Sequence, residues 1–316
     1  MHFTDAGHLL GSAVVNLKIK NEKGKTIHLT FTGDIGKYND SILRDPQPFP
    51  QCDVLICEST YGDRLHPKVA DTEGQLFEVV KKTCVDNRGK LIIPAFSVDR
   101  TQEIIYALDK MFEKKMLPPV KIFVDSPLSV KATQIIEKHQ ECFNKDFIDY
   151  ISKFSDPFHF KNLIYVSDVE ESKAINSIKE PCIIISASGM AEAGRVKHHI
   201  KNNIENPHNT ILIVGYCTPD SLGGRLRNRD KTVRIFGEEY PVKANVEVMD
   251  YYSAHADYEG IFRFLECQDK KKINHIFIVH GEKETQEHFK TKFVERGYLC
   301  KIDIPNLGDS FDLKVQ

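Results

Sequence analysis

An α/β protein built around a parallel sheet is the class this sequence predicts, and three observations carry the prediction. Four strongly apolar stretches each run into a small or polar turn and then into a helix-patterned segment. A pair of alternating strands precedes them, and two further strand–helix units follow. Buried strands that are each followed by a helix form parallel sheets with both faces covered.

The elements follow in order. "SAVVNLKIK" and "TIHLTFTGD" alternate and flank "NEKGK", which predicts a hairpin with Gly24 in its turn. "DVLICESTYG" is an apolar run broken by Glu58. From about residue 70 the texture becomes strand, turn, helix. "GKLIIPAF" leads into "SVDRTQEIIYALDKMF", where Ile104, Ile105, Leu108, Met111 and Phe112 trace one helical face. "VKIFVDSP" leads into "LSVKATQIIEKH", "PCIIISASGM" into "AEAGRVKHHIKNNI", and "NTILIVGYC" into "TPDSLGGRL". After residue 244, "ANVEVMDYY" ends in "SAHAD" and the helix "YEGIFRFLE", and "INHIFIVHGE" ends in the helix "KETQEHFKTKFVERG". "YLCKIDIP" is the last strand.

With 316 residues there is room for one large or two modest domains, and 41% hydrophobic with 28% charged residues is ordinary globular composition. The net charge of −2 means that any nucleic-acid binding must come from local basic patches. The eight cysteines are scattered without a CxxC pair, and no leader or long apolar run is present, so a reducing compartment, the cytoplasm, is expected.

Chemistry collects where strands end. Asp34 follows "LTFTG", Glu58 follows "DVLIC", His255 follows "VEVMDYYSA" and His280 follows "HIFIV". In open α/β folds ligands gather at the carboxyl ends of strands. Near the start, "DAGHLLGS" sets His8 among small residues, a setting that admits a ligand or metal close to the backbone. Asp34 and His255 capping the turns that follow them is the alternative. For His280 the alternative is a satisfied core histidine; its apolar strand makes an unpartnered imidazole costly. Glu282 is expected to hold that imidazole from behind.

A second group carries hydroxyls, glycines and arginines. "SASGMAEAGR" supplies Ser186, Ser188, Gly189 and Arg195, and "GYCTPDSLGGRL" supplies Thr218, Ser221, Gly223, Gly224 and Arg225. Amides at a helix start with hydroxyls and an arginine can cradle phosphate. "GRLRNRDKTVR" carries Arg225, Arg227, Arg229, Lys231 and Arg234 against the single acid Asp230, a track for a sugar–phosphate backbone or a solvated charged loop.

Together these stretches resemble the β-CASP branch of the metallo-β-lactamase superfamily, whose members include RNase J enzymes and the mRNA 3′-end endonuclease. The matching pieces, in family order, are "DAGHLLGSA", "FTGDIG", "ESTYGDR", "IPAFSVDRTQE", "VDSPLS", "SASGMAEAGR", "GYCTPDSLGGRL", "YSAHAD" and "VHGE". The resemblance implies an α/β fold in which an incomplete metallo-β-lactamase αββα sandwich, residues 1–69 and 245–316, carries an inserted β-CASP parallel α/β domain, residues 70–244. It implies zinc-dependent hydrolysis of phosphodiester bonds in single-stranded RNA, with the insert clamping the strand over the site. His8, Asp34 and His280 take the places of metal ligands, Asp34 bridging two zinc ions. Glu58 and His255 take those of an acid–histidine pair for proton transfer, Asp5 and Glu282 supporting the ligands. Ser186, Ser188, Gly189, Arg195, Thr218, Ser221, Gly223 and Arg225 are expected to bind RNA phosphates.

The family's principal metal motif, His-x-His-x-Asp-His, does not occur in this sequence. With His8, Asp34 and His280 alone each zinc would keep two protein ligands, fewer than catalytic zinc normally takes. The chain as given is therefore expected to be truncated, to bind metal weakly and to be catalytically impaired. A non-catalytic RNA-binding or assembly module of the same family is the alternative. A sandwich lacking strands would also leave an apolar sheet face open, which invites a homodimer.

Overall fold

The computed structural model describes all residues except 21–23, 67–71, 117, 155 and 314–316. The chain divides into two compact units, residues 1–66 with 254–316, and residues 67–253.

The first unit opens with strands β1 (His2–Asp5), β2 (Ala13–Lys20), β3 (Thr26–Phe31) and β4 (Val54–Cys57). The second unit then runs through α1 (Thr72–Val80), β5 (Leu91–Pro94), α2 (Arg100–Glu113), β6 (Lys121–Asp125), α3 (Pro127–Ile136) and α4 (Lys145–Lys153). It continues with β7 (Leu163–Val166), α5 (Val169–Ser177), β8 (Cys182–Ser186), α6 (Val196–Asn203) and β9 (Thr210–Ile213). It ends with α7 (Leu222–Arg227), β10 (Thr232–Ile235), β11 (Glu238–Pro241) and β12 (Asn245–Val248). The chain returns to the first unit for α8 (Tyr258–Phe264), β13 (His275–Ile278), α9 (Lys283–Glu295) and β14 (Lys301–Asp303).

In the first unit six strands lie in the order β1-β2-β3-β4-β13-β14. β1, β2 and β3 pair antiparallel and the remaining neighbours pair parallel. The expected hairpin is present, with Lys20 opposite Thr26. Gly24 has φ +74°, while the rest of its turn lies outside the described residues. One sheet face packs Val14, Leu55, Cys57, Ile276 and Ile278 against Ile261 and Phe262 of α8 and Phe289 and Phe293 of α9. On the other face Ile27, Val54 and Phe277 pack with Leu29, Ile56, Phe311 and Leu313, and Phe3 and Phe31 remain exposed.

In the second unit six strands lie in the order β12-β9-β5-β8-β6-β7, all parallel. Isoleucines fill the central strands, as a sheet covered on both faces requires. Helix starts follow strand ends with capping side chains. Ser126 accepts from the Ser129 amide at α3, Asp168 from Glu170 and Glu171 at α5, and Ser221 from Gly224 at α7. β12 lies at the edge of this sheet, paired with β9, although the sequence pattern assigns Asn245–Val248 to the flanking segment. Its "NVEV" is short and half-buried, so pattern alone does not say which sheet it joins. The expected boundary at 69/70 falls on residues outside those described.

The eight cysteines are all free thiols, five of them buried. Among the described residues no helix is long and apolar enough to cross a membrane.

Candidate metal centre

His8, Asp34, Glu58, His255 and His280 come together within the first unit. His8 sits in the loop after β1. Its main chain is folded by Asp5, which accepts from the Gly7 amide at 2.8 Å, and by Ser12, whose hydroxyl accepts from the His8 and Leu9 amides at 3.2 and 3.1 Å. Gly7 has φ +64°, a conformation that favours glycine. Gly36, just beyond Asp34, donates its amide to the Ala6 carbonyl at 2.8 Å. A Cβ on Gly36 would lie 1.7 Å from the Gly7 carbonyl oxygen, so the loops bearing His8 and Asp34 are in backbone contact.

Asp34 presents one oxygen to each of two histidines. Its Oδ1 is 3.4 Å from His280 Nε2 and its Oδ2 is 3.9 Å from His8 Nε2. The His255 ring lies 4.4 Å from that of His8 and 5.7 Å from that of His280, centroid to centroid. Ligand atoms of His8, Asp34 and His255 all lie within 4.8 Å of one another. Burial first, and then the neighbouring His255, push the His8 imidazole down to about 4, so the ring is neutral at pH 7 with a lone pair for a metal. Imidazoles around one carboxylate form a donor set suited to zinc, and the residues present fit such an ion.

Glu58, at the end of β4, is 1% exposed. One carboxylate oxygen accepts from the Ile35 amide and the other from His255 Nδ1 at 2.9 Å. Burial alone would raise this carboxyl, but the hydrogen bond and charge of His255, with the Ile35 amide, hold it below the usual range. Because Nδ1 donates to Glu58, Nε2 is the atom through which the His255 ring can take up or release a proton.

His280, two residues beyond β13, has φ +53°, a strained conformation for a residue with a Cβ. The Ser59 hydroxyl donates to the Val279 carbonyl at 2.8 Å, and the Ser59 amide to that of His280 at 3.1 Å. A Cβ on Gly281 would lie 2.6 Å from the Ser59 hydroxyl. Glu282 departs from expectation: it is exposed at the start of α9 and makes no hydrogen bond to His280 among the described residues. Two contributors carry no clear sequence signal. His66 Nε2 lies 2.8 Å from the His255 carbonyl oxygen, and the Thr32 hydroxyl accepts from the Glu58 amide at 3.2 Å.

The second group of candidates, all in the second unit, is mostly engaged in holding its own turns. The Ser186 hydroxyl donates to the Asp125 carbonyl at 2.8 Å, and that of Ser188 to the Ala193 carbonyl at 3.2 Å. Gly189 is buried in the same turn, and the Gly223 amide donates to the Met190 carbonyl at 2.9 Å. Thr218 accepts through its carbonyl from Ser221, which caps α7. Arg195 is bound to Asp125 at 2.6 Å and to the Ser167 carbonyl at 2.7 Å. Arg227 is paired with Asp250, and Arg234 lies 3.6 Å from Glu239, so acids remote from "GRLRNRDKTVR" offset its charge. Arg225 remains exposed and lines a cavity of about 430 Å³ with Glu192, Asp220, Arg234 and Glu239.

Asp125 is a further polar centre that the reading of the sequence does not single out. It is fully buried at the end of β6 and receives Arg195, His199 Nε2 at 2.6 Å and the Ser172 hydroxyl at 2.5 Å. It stands after an apolar strand, "KIFV", as Asp34 follows "LTFTG", so the same signal was available.

Known proteins resemble this chain over most of its length. Residues 101–226 match the Beta-Casp domain, and residues 239–305 match the Zn-dependent metallo-hydrolase RNA specificity domain. The chain is 33% identical over 282 residues to Ribonuclease TTHA0252 of Thermus thermophilus, covering 89% of this chain and 62% of that protein. It is 32% identical over 284 residues to an RNase J-like protein of Methanocaldococcus jannaschii, covering 89% of this chain and 63% of the relative. With Cleavage and polyadenylation specificity factor 73 of Drosophila melanogaster it shares 28% identity over 288 residues, 90% of this chain and 40% of the relative. The chain thus spans less than two thirds of the length of each of these relatives. It belongs to the β-CASP branch of the metallo-β-lactamase superfamily.

Proposed function

We propose that this chain serves zinc-dependent hydrolysis of phosphodiester bonds in single-stranded RNA. The Asp34 carboxylate carries the reading, since its two oxygens face different histidines, the disposition expected of a group shared between two ions. His8 and His280 would each add one further ligand, giving two protein ligands at each position. Bound zinc would supply Lewis-acid polarisation of a phosphate oxygen and acidify water.

The chain's own residues then handle protons. Glu58 is buried and held by the Ile35 amide, so it fixes the His255 ring through Nδ1 and leaves Nε2 as the atom that exchanges a proton with substrate. The main chain around His255 is itself held: the Lys37 amide donates to the Ala254 carbonyl at 3.1 Å and the Ala256 amide to that of Ile35 at 2.8 Å. Such support keeps a proton-transfer group within the tolerance that catalysis needs. Names of the relatives, a ribonuclease and an RNase J-like protein among them, favour RNA as the substrate.

The test measures zinc per chain and cleavage of an end-labelled single-stranded RNA, with and without chelator. Weakly held zinc and slow, chelator-sensitive cleavage are expected, since each ion would keep only two protein ligands. A zinc-loaded chain that binds RNA and never cuts it would establish the non-catalytic alternative instead.

A further inference from the structure

In the second unit, β5 leads through α2 to β6 on one side, while its neighbour β8 leads through α6 to β9 on the other. The carboxyl ends of β5 and β8 therefore form a topological switch point, where open α/β sheets bind ligands. Phe96 projects from the turn after β5 and is 47% exposed, an unusual state for a phenylalanine so close to an apolar strand. It is held firmly. Its carbonyl accepts the Thr101 hydroxyl at 2.8 Å, and its ring lies against Gly189 of the turn after β8, where an added Cβ would meet ring atoms at 2.6 Å. The next residue, Ser97, is buried with its hydroxyl 3.1 Å from that of Ser126, and Ser188 precedes the glycine that supports the ring.

We propose that Phe96 is a stacking platform for one base of a single-stranded nucleic acid. The proposal rests on the RNA-substrate reading and names the contact by which the second unit grips the strand. A ring held by the Gly189 turn and about half exposed offers a rigid π-surface to a planar base. Stacking of this kind tolerates any base, because each has a π-face.

The sequence supplies a direct probe, since it contains no tryptophan. Phe96→Trp therefore carries a single reporter at the position in question. Titration with a short single-stranded oligoribonucleotide is expected to quench its emission, and an oligomer of equal length with abasic riboses is not. Phe96→Ala should weaken binding, read by anisotropy of a labelled oligomer, about five- to a hundred-fold, the size of one aromatic stack. Phe96→Tyr should restore it, and far-ultraviolet circular dichroism checks that each variant is folded.

If the parent chain binds the oligomer while Phe96→Ala is unchanged, or the abasic oligomer binds as well, the stacking proposal fails and the RNA reading stands. A parent chain that binds no RNA removes the reading itself and the proposal with it. A change in sedimentation of Phe96→Ala with unaltered RNA affinity would mark a protein contact and overturn the proposal.

Discussion

Asp125→Asn replaces one oxygen of a buried carboxylate that accepts from three side chains. The wild-type group serves Arg195 through one oxygen, and His199 and Ser172 through the other. An amide keeps only one acceptor oxygen, so its NH2 must face either Arg195 or the His199 and Ser172 pair, donor against donor. Both Asp125 and His199 are fully buried, and water cannot take over the lost bonds. Breaking a buried ion pair from one side costs about 3–5 kcal/mol. For a domain of this size that is a fall in melting temperature of about 6–20 °C at neutral pH.

The pH dependence supplies a sharper criterion. Burial raises the Asp125 carboxyl, but the bonds from His199, Ser172 and Arg195 outweigh it, and the folded value lies below 3.8. A group depressed on folding stabilises above its unfolded pKa and loses that contribution as pH falls through the folded value. The gap between wild type and Asp125→Asn should therefore be full above about pH 5 and should narrow progressively as pH falls below about 3.8 toward the lower folded value. Denaturant unfolding followed by circular dichroism across pH 3 to 7 measures it. Equal stability at pH 7, or a gap independent of pH, would refute the account of Asp125 as an ionised anchor.

Other expectations concern the metal centre and the strand. Glu58→Gln should lower RNA turnover about 100- to 10,000-fold, the worth of a positioned proton-transfer group, with zinc content unchanged by elemental analysis. His255→Ala should do the same, whereas His280→Ala should lower zinc content itself; identical behaviour of the two variants would contradict the division of roles. Arg225→Ala should weaken binding of single-stranded RNA and reduce the slope of log affinity against log salt by about 0.7, as loss of one phosphate contact requires. Gly281→Ala should destabilise by about 1–3 kcal/mol through overpacking against Ser59, measured by denaturant midpoint.

Strands that are buried on both faces were the most legible part of the sequence. "KLIIP", "KIFVD", "CIIIS" and "TILI" announce themselves because every side chain is apolar, and each became a strand of the second sheet. The edges were not legible. β7 reads "LIYV" and β12 reads "NVEV", with half-exposed positions that satisfy no strict pattern, and which sheet an edge joins depends on its partner. At the metal centre four of the candidate side chains were readable because each stands just beyond a strand or among glycines, whereas His255 lies seven residues beyond β12, a strand of the other sheet. Their support was less so, since His66 acts from a loop and Thr32 through a backbone amide. The arginine run shows the converse error: charge counted along the chain ignores Asp250 and Glu239, which folding brings alongside.

The contact between Gly36 and Gly7 bears on how this centre could be altered. With two peptide groups touching, the gauge between the His8 and Asp34 loops is set by main chain, and no side chain can be trimmed to widen it. A laboratory search for altered metal preference would therefore find little at either glycine. It would have to work through reach, as with Asp34→Glu, or through His280, which is 56% exposed on the open side.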